Sequence, residues 1–440
     1  MAEFHVTFHI ESASHSLITK PMPASFTEVT DRAVVDVASD RARLNSHVPA
    51  LVLGSGLTGV GVIRCLGWAG VHSYSVCDSA DLMAASRWYR PLPNGERHCP
   101  NVDDLPDFLS RLKLKEMVLI PSSDEWVQAV SRLPEDFNDR FPRSIPSVHT
   151  IEILTDKARF AWLLERLGVP RPRTIVLHSV PQMQALEESS YQNMFLKPVD
   201  SQAFSKRYGL KGFLIKDKAN AVEVMQGAQE SGPGAFPILL QEHIPGPPSN
   251  HYFVDGFMDR NGAIPALFAR HRLRMYPPRI GNTAFMETMS LEPLAGPIKA
   301  LKALLADQSY RGIFSAEFKF DDRDGEFKMI EVNARPWWFI ELPGRCGVNF
   351  AAMVYNDALG LPVQPVDSYP VGRRCMHFLN DYLSCTIDEP GLPGVLRWLR
   401  SCRSCLKLPF GWDDPMPWVV STAGVVKDAV RRRSAVFRRQ

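Results

Sequence analysis

Three residues on either side of position 325 have the types and spacing to hold a hard cation. Glu331 and Asn333 stand in the run Phe327-Lys-Met-Ile-Glu331-Val-Asn333-Ala-Arg335-Pro336. In a strand, period two puts both on one face, with Arg335 following in register if the strand persists. Glu317 lies in Ser315-Ala-Glu317-Phe-Lys-Phe320, and the intervening Asp321-Asp-Arg-Asp-Gly325 is a hairpin signal of acidic turn residues and glycine. Pairing across that hairpin brings Glu317 beside Glu331. Two carboxylates and a carboxamide oxygen suit Mg²⁺ that also holds phosphate oxygens. The same alternation with Phe318, Phe320, Ile330 and Val332 also fits an ordinary half-solvated sheet face.

Other segments add to the cation reading. Lys157 opens a helix after Thr155-Asp156, and Lys197 ends the apolar strand Phe195-Leu196-Lys197-Pro198. A strand-end lysine, with Ser201, Ser205 and Gly209 in the loop beyond it, can set an ammonium and backbone N–H groups on phosphates. Each lysine taken alone reads far more often as a surface charge. Ile238-Leu-Leu-Gln241-Glu242-His243-Ile244-Pro245-Gly246 runs from strand to turn, a hinge whose backbone can face a purine edge while Ile244 packs on the ring. Arg270, Arg272 and Arg274 fall at i, i+2, i+4 before Tyr276-Pro277-Pro278, and share a strand face that repels itself unless anions compensate. A solvent-facing edge strand is the plainer alternative.

A rival chemistry sits nearer the N-terminus. Gly54-Ser55-Gly56-Leu57-Thr58-Gly59 matches G-x-G-x-x-G between a strand and a helix, and Asp78 follows at the end of the next strand. That is the spacing of a dinucleotide site, which makes an NAD(P)-dependent oxidoreductase the first alternative. Cys402-Arg-Ser-Cys405 is a single C-x-x-C without a second pair at zinc-site spacing. Neither Gly-x-Ser-x-Gly nor His-Glu-x-x-His occurs, so serine-hydrolase and zincin readings lack support.

These residues need elements to carry them. Short apolar strands at Pro49–Gly54, Ser73–Cys77 and Glu116–Ile120 alternate with helices, which predicts a parallel sheet with both faces covered over residues 48–150. Residues 151–240 start with a helix and hold the strands Met194–Lys197, Gly212–Ile215 and Ile238–Glu242; residues 241–365 are strand-rich. Residues 1–47 are polar and irregular, a loosely held extension with a strand possible only at Phe4–Ile10. The fold class expected is α/β, a parallel sheet followed by a strand-rich body.

Composition narrows the setting. The chain has 440 residues, 45% hydrophobic and 22% charged, with 50 Lys and Arg against 48 Asp and Glu. The balance makes no case for nucleic acid. No run of about 18 apolar residues occurs and the first residues lack a secretory pattern, so a cytoplasmic protein is expected. Eight scattered cysteines fit a reducing compartment. Charge is uneven: residues 370–440 hold twelve Lys and Arg against six acids, a net of +6 that leaves −4 for the rest. Residues 366–440 therefore read as a basic region that meets an acidic partner or a membrane surface, or as a solvated helix end.

The ordered set Thr155-Asp156-Lys157, Lys197-Pro198, Gln241 to Gly246, Glu317 and Glu331 to Pro336 resembles the ATP-grasp superfamily of carboxylate–amine ligases, over roughly residues 48–365. Arg270 to Pro278 and Asp413-Asp414-Pro415 resemble its carbamoyl-phosphate-synthase-like members. The resemblance implies a Rossmann-like domain followed by a two-lobed α+β body. It also implies ATP with Mg²⁺, or Mn²⁺ in its place, small-molecule carboxylate and amine substrates, and leaves a homodimer open. It implies that Lys157 and Lys197 hold the ATP phosphates, that Gln241, Glu242 and Ile244 frame adenine, and that Glu317, Glu331 and Asn333 ligate metal. Arg335 would sit beside the reacting carboxylate, with Arg270 and Arg272 toward the triphosphate or the acid. Two departures stand out: the loop after Lys197 is poor in glycine for a phosphate lid, and Pro247-Pro248-Ser249-Asn250 offers no acid for the ribose. They motivate a second alternative, a catalytically weakened ATP-binding scaffold.

Overall fold

The computed structural model describes residues 48–77, 81–93, 101–198, 212–230, 237–277, 281–403 and 405–423. The strand expected at Phe4–Ile10, Asp78, the loop residues Ser201, Ser205 and Gly209, and the basic end of the chain from residue 424 lie outside them.

The first unit is a parallel sheet of β1 (Ala50–Leu53), β2 (Ser73–Val76) and β3 (Val118–Pro121) in the order β2-β1-β3. β1 is buried at all four positions, as an unbroken apolar run between helix-covered faces requires. Its helices are α1 (Gly56–Trp68), α2 (Leu105–Arg111) and α3 (Asp124–Ser131). Ser123 caps α3, its hydroxyl accepting from the Trp126 N–H. α4 (Val148–Thr155) leads into α5 (Lys157–Arg166), where the Asp156 carboxylate accepts from Ala158 N and Arg159 N at 2.8 and 3.0 Å. The cap is thus the Asp156 carboxylate, while the Thr155 hydroxyl donates back to the Ile151 carbonyl at 2.8 Å.

The small lobe is an antiparallel sheet, β4-β7-β5-β6, built from β4 (Thr174–Leu177), β5 (Met194–Pro198), β6 (Phe213–Leu214) and β7 (Ile238–Glu242) with α6 (Val180–Ala185) and α7 (Lys218–Glu230). Its core, which includes Leu177, Met183, Tyr191, Leu196 and Leu240, is a cluster of its own. By contrast, the core of the first unit is continuous with the large sheet: Val60, Ile63 and Leu66 of α1 pack with Phe257, Phe268, Ile340 and Phe350.

The large sheet has seven strands in the order β12-β11-β8-β9-β10-β13-β14. In chain order these are β8 (His251–Met258), β9 (Ala266–Tyr276), β10 (Asn282–Met289), β11 (Gly312–Asp321), β12 (Glu326–Asn333), β13 (Arg374–His377) and β14 (Cys405–Leu408). α8 (Ala295–Asp307), α9 (Glu341–Arg345) and α10 (Phe350–Ala358) cover it, and α11 (Phe378–Asp388) and α12 (Leu392–Ser401) join its last two strands. Two sequence expectations change here. The sheet does not stop at residue 365 but continues into the basic region. β9 is a central strand rather than an edge, because β8 and β10 both hydrogen-bond to it. Among the described residues no helix is long and apolar enough to cross a membrane.

His377 ends β13 and caps α11, its Nδ1 accepting from Asn380 N at 3.2 Å. Burial pushes its imidazole down from 6.5 to about 4. The unfolded chain therefore takes up this proton below pH 6.5 while the folded one resists until about 4, so stability is full above 6.5 and falls between those values. His377→Asn keeps a capping side chain and removes the titration. Urea unfolding of the wild type is expected to weaken more steeply than that of the variant across this window, by up to about 3 kcal/mol at its lower end. Parallel slopes for the two proteins would refute the assignment.

Candidate active site

A cleft of about 1130 Å³ lies where the first unit, the small lobe and the large sheet meet. The β11–β12 hairpin supplies its floor. Glu317 is the register partner of Glu331, and Ser315 that of Asn333, so the three cation-type ligands share neighbouring positions on two strands. A bulge follows at once, because Phe318 pairs with Met329 and leaves Ile330 extra. The turn is closed by Gly325 N donating to the Asp321 carbonyl at 2.8 Å, with Gly325 at φ 74°.

Glu317 is held by two donors, Nδ1 of His251 at 2.6 Å and Nη2 of Arg272 at 3.1 Å. Burial alone would push its carboxyl up, but the Arg272 guanidinium and the histidine outweigh that and hold it well below the usual carboxylate range. Burial also lowers His251 against the pull of Glu317. Glu331 is exposed and accepts from Asn333 Nδ2 at 3.0 Å. The strand ends at Asn333, yet Arg335 still reaches back to Asn333 Oδ1 at 3.3 Å. Its main partner is Asp124, the first residue of α3, bound bidentately at 2.7 and 2.9 Å. Arg335 therefore ties the hairpin to the first unit across the cleft.

The opposite wall carries the lysines. Lys197 donates to Gln241 Oε1 at 2.9 Å, and Gln241 Nε2 donates to Thr174 Oγ1 at 3.1 Å, so three strands of the small lobe are cross-linked through side chains. Lys157, first residue of α5, also lines the cleft. Glu242 accepts from Arg323 Nη2 at 2.6 Å and from Arg173 N at 3.1 Å. The buried Ile244 lends its carbonyl to Lys319 Nζ at 2.5 Å. The side chains of Gln241 and Glu242 are thus engaged with protein partners, Ile244 contributes its backbone carbonyl, and Lys319 fastens the hinge to β11.

Lys319 and His251 join the site without being among the residues the sequence marks for it. Lys319 had a signal, since it stands two residues beyond Glu317 on the same strand face, masked by flanking phenylalanines. His251 had none, because only the pairing of β8 with β11 brings it to Glu317. Burial, followed by the nearby Arg272, lowers Lys319 below an ordinary lysine.

The three arginines of β9 each have a protein carboxylate. Arg270 binds Asp255 at 2.6 and 3.1 Å and lies 4.1 Å from the Phe253 ring centroid. Arg272 binds Glu317, and Arg274 binds Asp381 at 2.7 and 2.9 Å, away toward α11. The anions that relieve their mutual repulsion come from the chain itself. Arg270 and Arg272 line the cleft; Arg274 does not.

No protein-family model matches the chain. D-aspartate ligase from Enterococcus faecium (strain Aus0004) is 24% identical over 336 residues, 71% of this chain and 77% of that enzyme. The biotin carboxylase domain of Hydrogenobacter thermophilus 2-oxoglutarate carboxylase, solved with MgADP, ADP and bicarbonate, superposes with a TM-score of 0.57 at 17% identity, covering 74% of this chain and 73% of that one. An ADP complex of N5-carboxyaminoimidazole ribonucleotide synthetase gives 0.58 at 12%, covering 78% and 85%. The L-amino acid ligase of Bacillus licheniformis gives 0.53 at 14%, covering 72% and 75%. The chain has the ATP-grasp fold.

In this ATP-grasp chain the G-x-G-x-x-G turn is filled by the protein. Gly56 N, at the start of α1, donates to both carboxylate oxygens of Asp81 at 3.1 Å. A dinucleotide pyrophosphate would need that helix N-terminus and would meet a carboxylate there. The glycines have local causes. Gly54 sits at φ +117° with Ser122 Oγ 2.3 Å from where a Cβ would stand, and Met83 Sδ lies 2.5 Å from the corresponding point at Gly59. The oxidoreductase alternative therefore has no support in this turn, and the comparisons supply none. Asp413 and Asp414 have a structural role. Asp414 accepts from buried Arg64 at 2.9 Å, from Ser86 Oγ at 2.6 Å and from Arg87 N at 2.8 Å, while Asp413 accepts from Trp68 Nε1 at 3.2 Å. Cys402 and Cys405 are free thiols pushed up by burial, and among the described residues no group of three His, Cys, Asp or Glu side chains is placed to hold a metal.

Proposed function

We propose that the protein is an ADP-forming carboxylate–amine ligase. One observation carries this reading: the register pair Glu317–Glu331, with Asn333, faces a cleft whose other walls present Lys157, Lys197 and the Asp124-bound Arg335. A carboxylate oxygen of the acid attacks the γ-phosphorus of ATP, and the bond to the bridging oxygen breaks to release ADP. The amine then attacks the acyl carbon, phosphate leaves, and the amine gives up a proton to complete the amide.

Lys157 and Lys197 are assigned to the phosphates, where fixed cations in a low-dielectric cleft stabilise the growing charge. Arg335 is assigned to the transferred group, and Asp124 holds its guanidinium plane. The donor set of Glu317, Glu331 and the Asn333 carboxamide fits Mg²⁺, or Mn²⁺, because Glu317 is kept ionised and all three groups are oxygen ligands. Glu317, Glu331 and Asn333 would hold Mg²⁺ there, and it would supply charge neutralisation for the phosphates. D-aspartate ligase and L-amino acid ligase are both named for amino acids, which supports an amino acid as one substrate.

The test is phosphate release from Mg²⁺–ATP in the presence of paired amino acids and carboxylic acids. Thermal unfolding in parallel should rise with Mg²⁺–ATP, by about 2.7 kcal/mol of stability at a hundredfold excess over the dissociation constant. A rise with NAD or NADP and none with ATP would reject the ligase reading.

A further inference from the structure

The far end of the large sheet exposes an apolar surface that the cleft does not use. On α12, Leu392, Leu396 and Leu399 follow one another at i, i+4 and i+7 and are 68, 44 and 49% exposed. The opposite face of the helix is packed: Gly394 lies under the Glu389 and Cys385 carbonyls, and Trp398 meets Phe378 and Tyr382 at ring distances of 4.9 and 5.3 Å. The leucines are therefore a face the helix turns away from its own core. Exposed Arg400 falls on the same side by helical spacing, and exposed Arg403 follows in the turn that ends the helix. Phe378 also contacts Trp418, and Trp418 contacts Phe410, which stacks edge-on with the 91% exposed Trp412. Leucine strip and exposed tryptophan thus belong to one aromatic-cored body.

Charge selects what covers this surface. Arg397 is paired with Glu389 at 3.1 Å and Asp388 at 4.0 Å, which leaves the exposed Arg400 and Arg403, with Lys407, as the positive charge beside the leucines. A segment as basic as residues 424–440, six Lys and Arg against one Asp, does not complement its charge, and neither does the same face of a second copy. The occupant must be acidic, and it must also take up leucines and a tryptophan, which a solvated acidic polypeptide does poorly and the headgroup–acyl boundary does well.

We propose that the α12 face with Trp412 binds the surface of an anionic lipid bilayer, peripherally and reversibly. The contact is independent of the ligase reading. Arg274 links the two regions mechanically, since it leaves β9 beside Arg272 and binds Asp381 of α11 and Ser401 of α12.

The test is sedimentation of the full-length protein with vesicles of phosphatidylcholine alone and of phosphatidylcholine with about 30% phosphatidylglycerol. Binding is expected only to the anionic vesicles, weakening as salt is raised. Leu396→Ser with Leu399→Ser, and separately Arg400→Glu with Arg403→Glu, should each weaken partition by about tenfold or more at an unchanged thermal midpoint. All four side chains are at the surface, and the charge pair tests the idea even if the serine pair unfolds. No binding to either vesicle, or binding that neither pair alters, would overturn it. So would capture on immobilised polyglutamate without vesicle binding, which would assign the face to an acidic protein.

Discussion

Glu331→Ala is expected to lower ATP turnover by about 10²–10³-fold with little change in stability. Glu331 is exposed, and its recorded side-chain hydrogen bond is the one it accepts from Asn333. Its removal takes a carboxylate from the cleft without stranding a buried charge. The contrast with Glu317 makes the experiment interpretable. Glu317→Ala would also leave Arg272 and His251 without their acceptor in a buried setting, mixing loss of activity with loss of fold. Phosphate release, its Mg²⁺ dependence and urea midpoints should be measured on both variants. A Glu331→Ala protein that turns over ATP like the wild type would remove the cation assignment, leaving the hairpin as an ordinary sheet face.

Arg64→Met should destabilise the protein by about 3–5 kcal/mol, seen as a lower urea midpoint at unchanged slope. Arg64 is completely buried between Glu341 at 2.8 Å and Asp414 at 2.9 Å, and its remaining nitrogen donates to the Asp414 carbonyl at 2.7 Å. Methionine fills the space but leaves the buried Asp414 carboxylate without its guanidinium, while Glu341 keeps only Arg345 at 2.7 Å of its two arginines. Adding Asp414→Asn to Arg64→Met should recover part of the loss, because it removes a buried charge while its one amide oxygen still accepts from Arg87 N and the Ser86 hydroxyl can turn to accept from the amide NH2. A loss below about 1 kcal/mol, the range of an exposed pair, would show that the cluster is hydrated rather than buried.

Much of this site is legible before any folding is considered. Period-two alternation and the Asp-Gly turn predict the β11–β12 hairpin, and they place Glu317 opposite Glu331 because backbone pairing across a short turn leaves few registers. Ile238–Glu242 matches its predicted span for the same reason: a short apolar run bounded by turn residues carries its own information. The order of motifs along the chain likewise pointed to the ATP-grasp fold, although each motif alone was ambiguous.

What the sequence could not determine is which charge meets which. The three arginines of β9 read as a cationic stripe in want of an external anion; Asp255, Glu317 and Asp381 answer them from three other elements. The G-x-G-x-x-G turn reads as a dinucleotide site until Asp81 is seen on the α1 N-terminus. Asp413-Asp414 reads as a motif of unknown purpose until Arg64, 350 residues away, closes on it. Local periodicity depends on backbone geometry that each segment carries alone. Ion pairs inside a low-dielectric core depend on which segments the core brings within about 3 Å, and only the tertiary structure decides that.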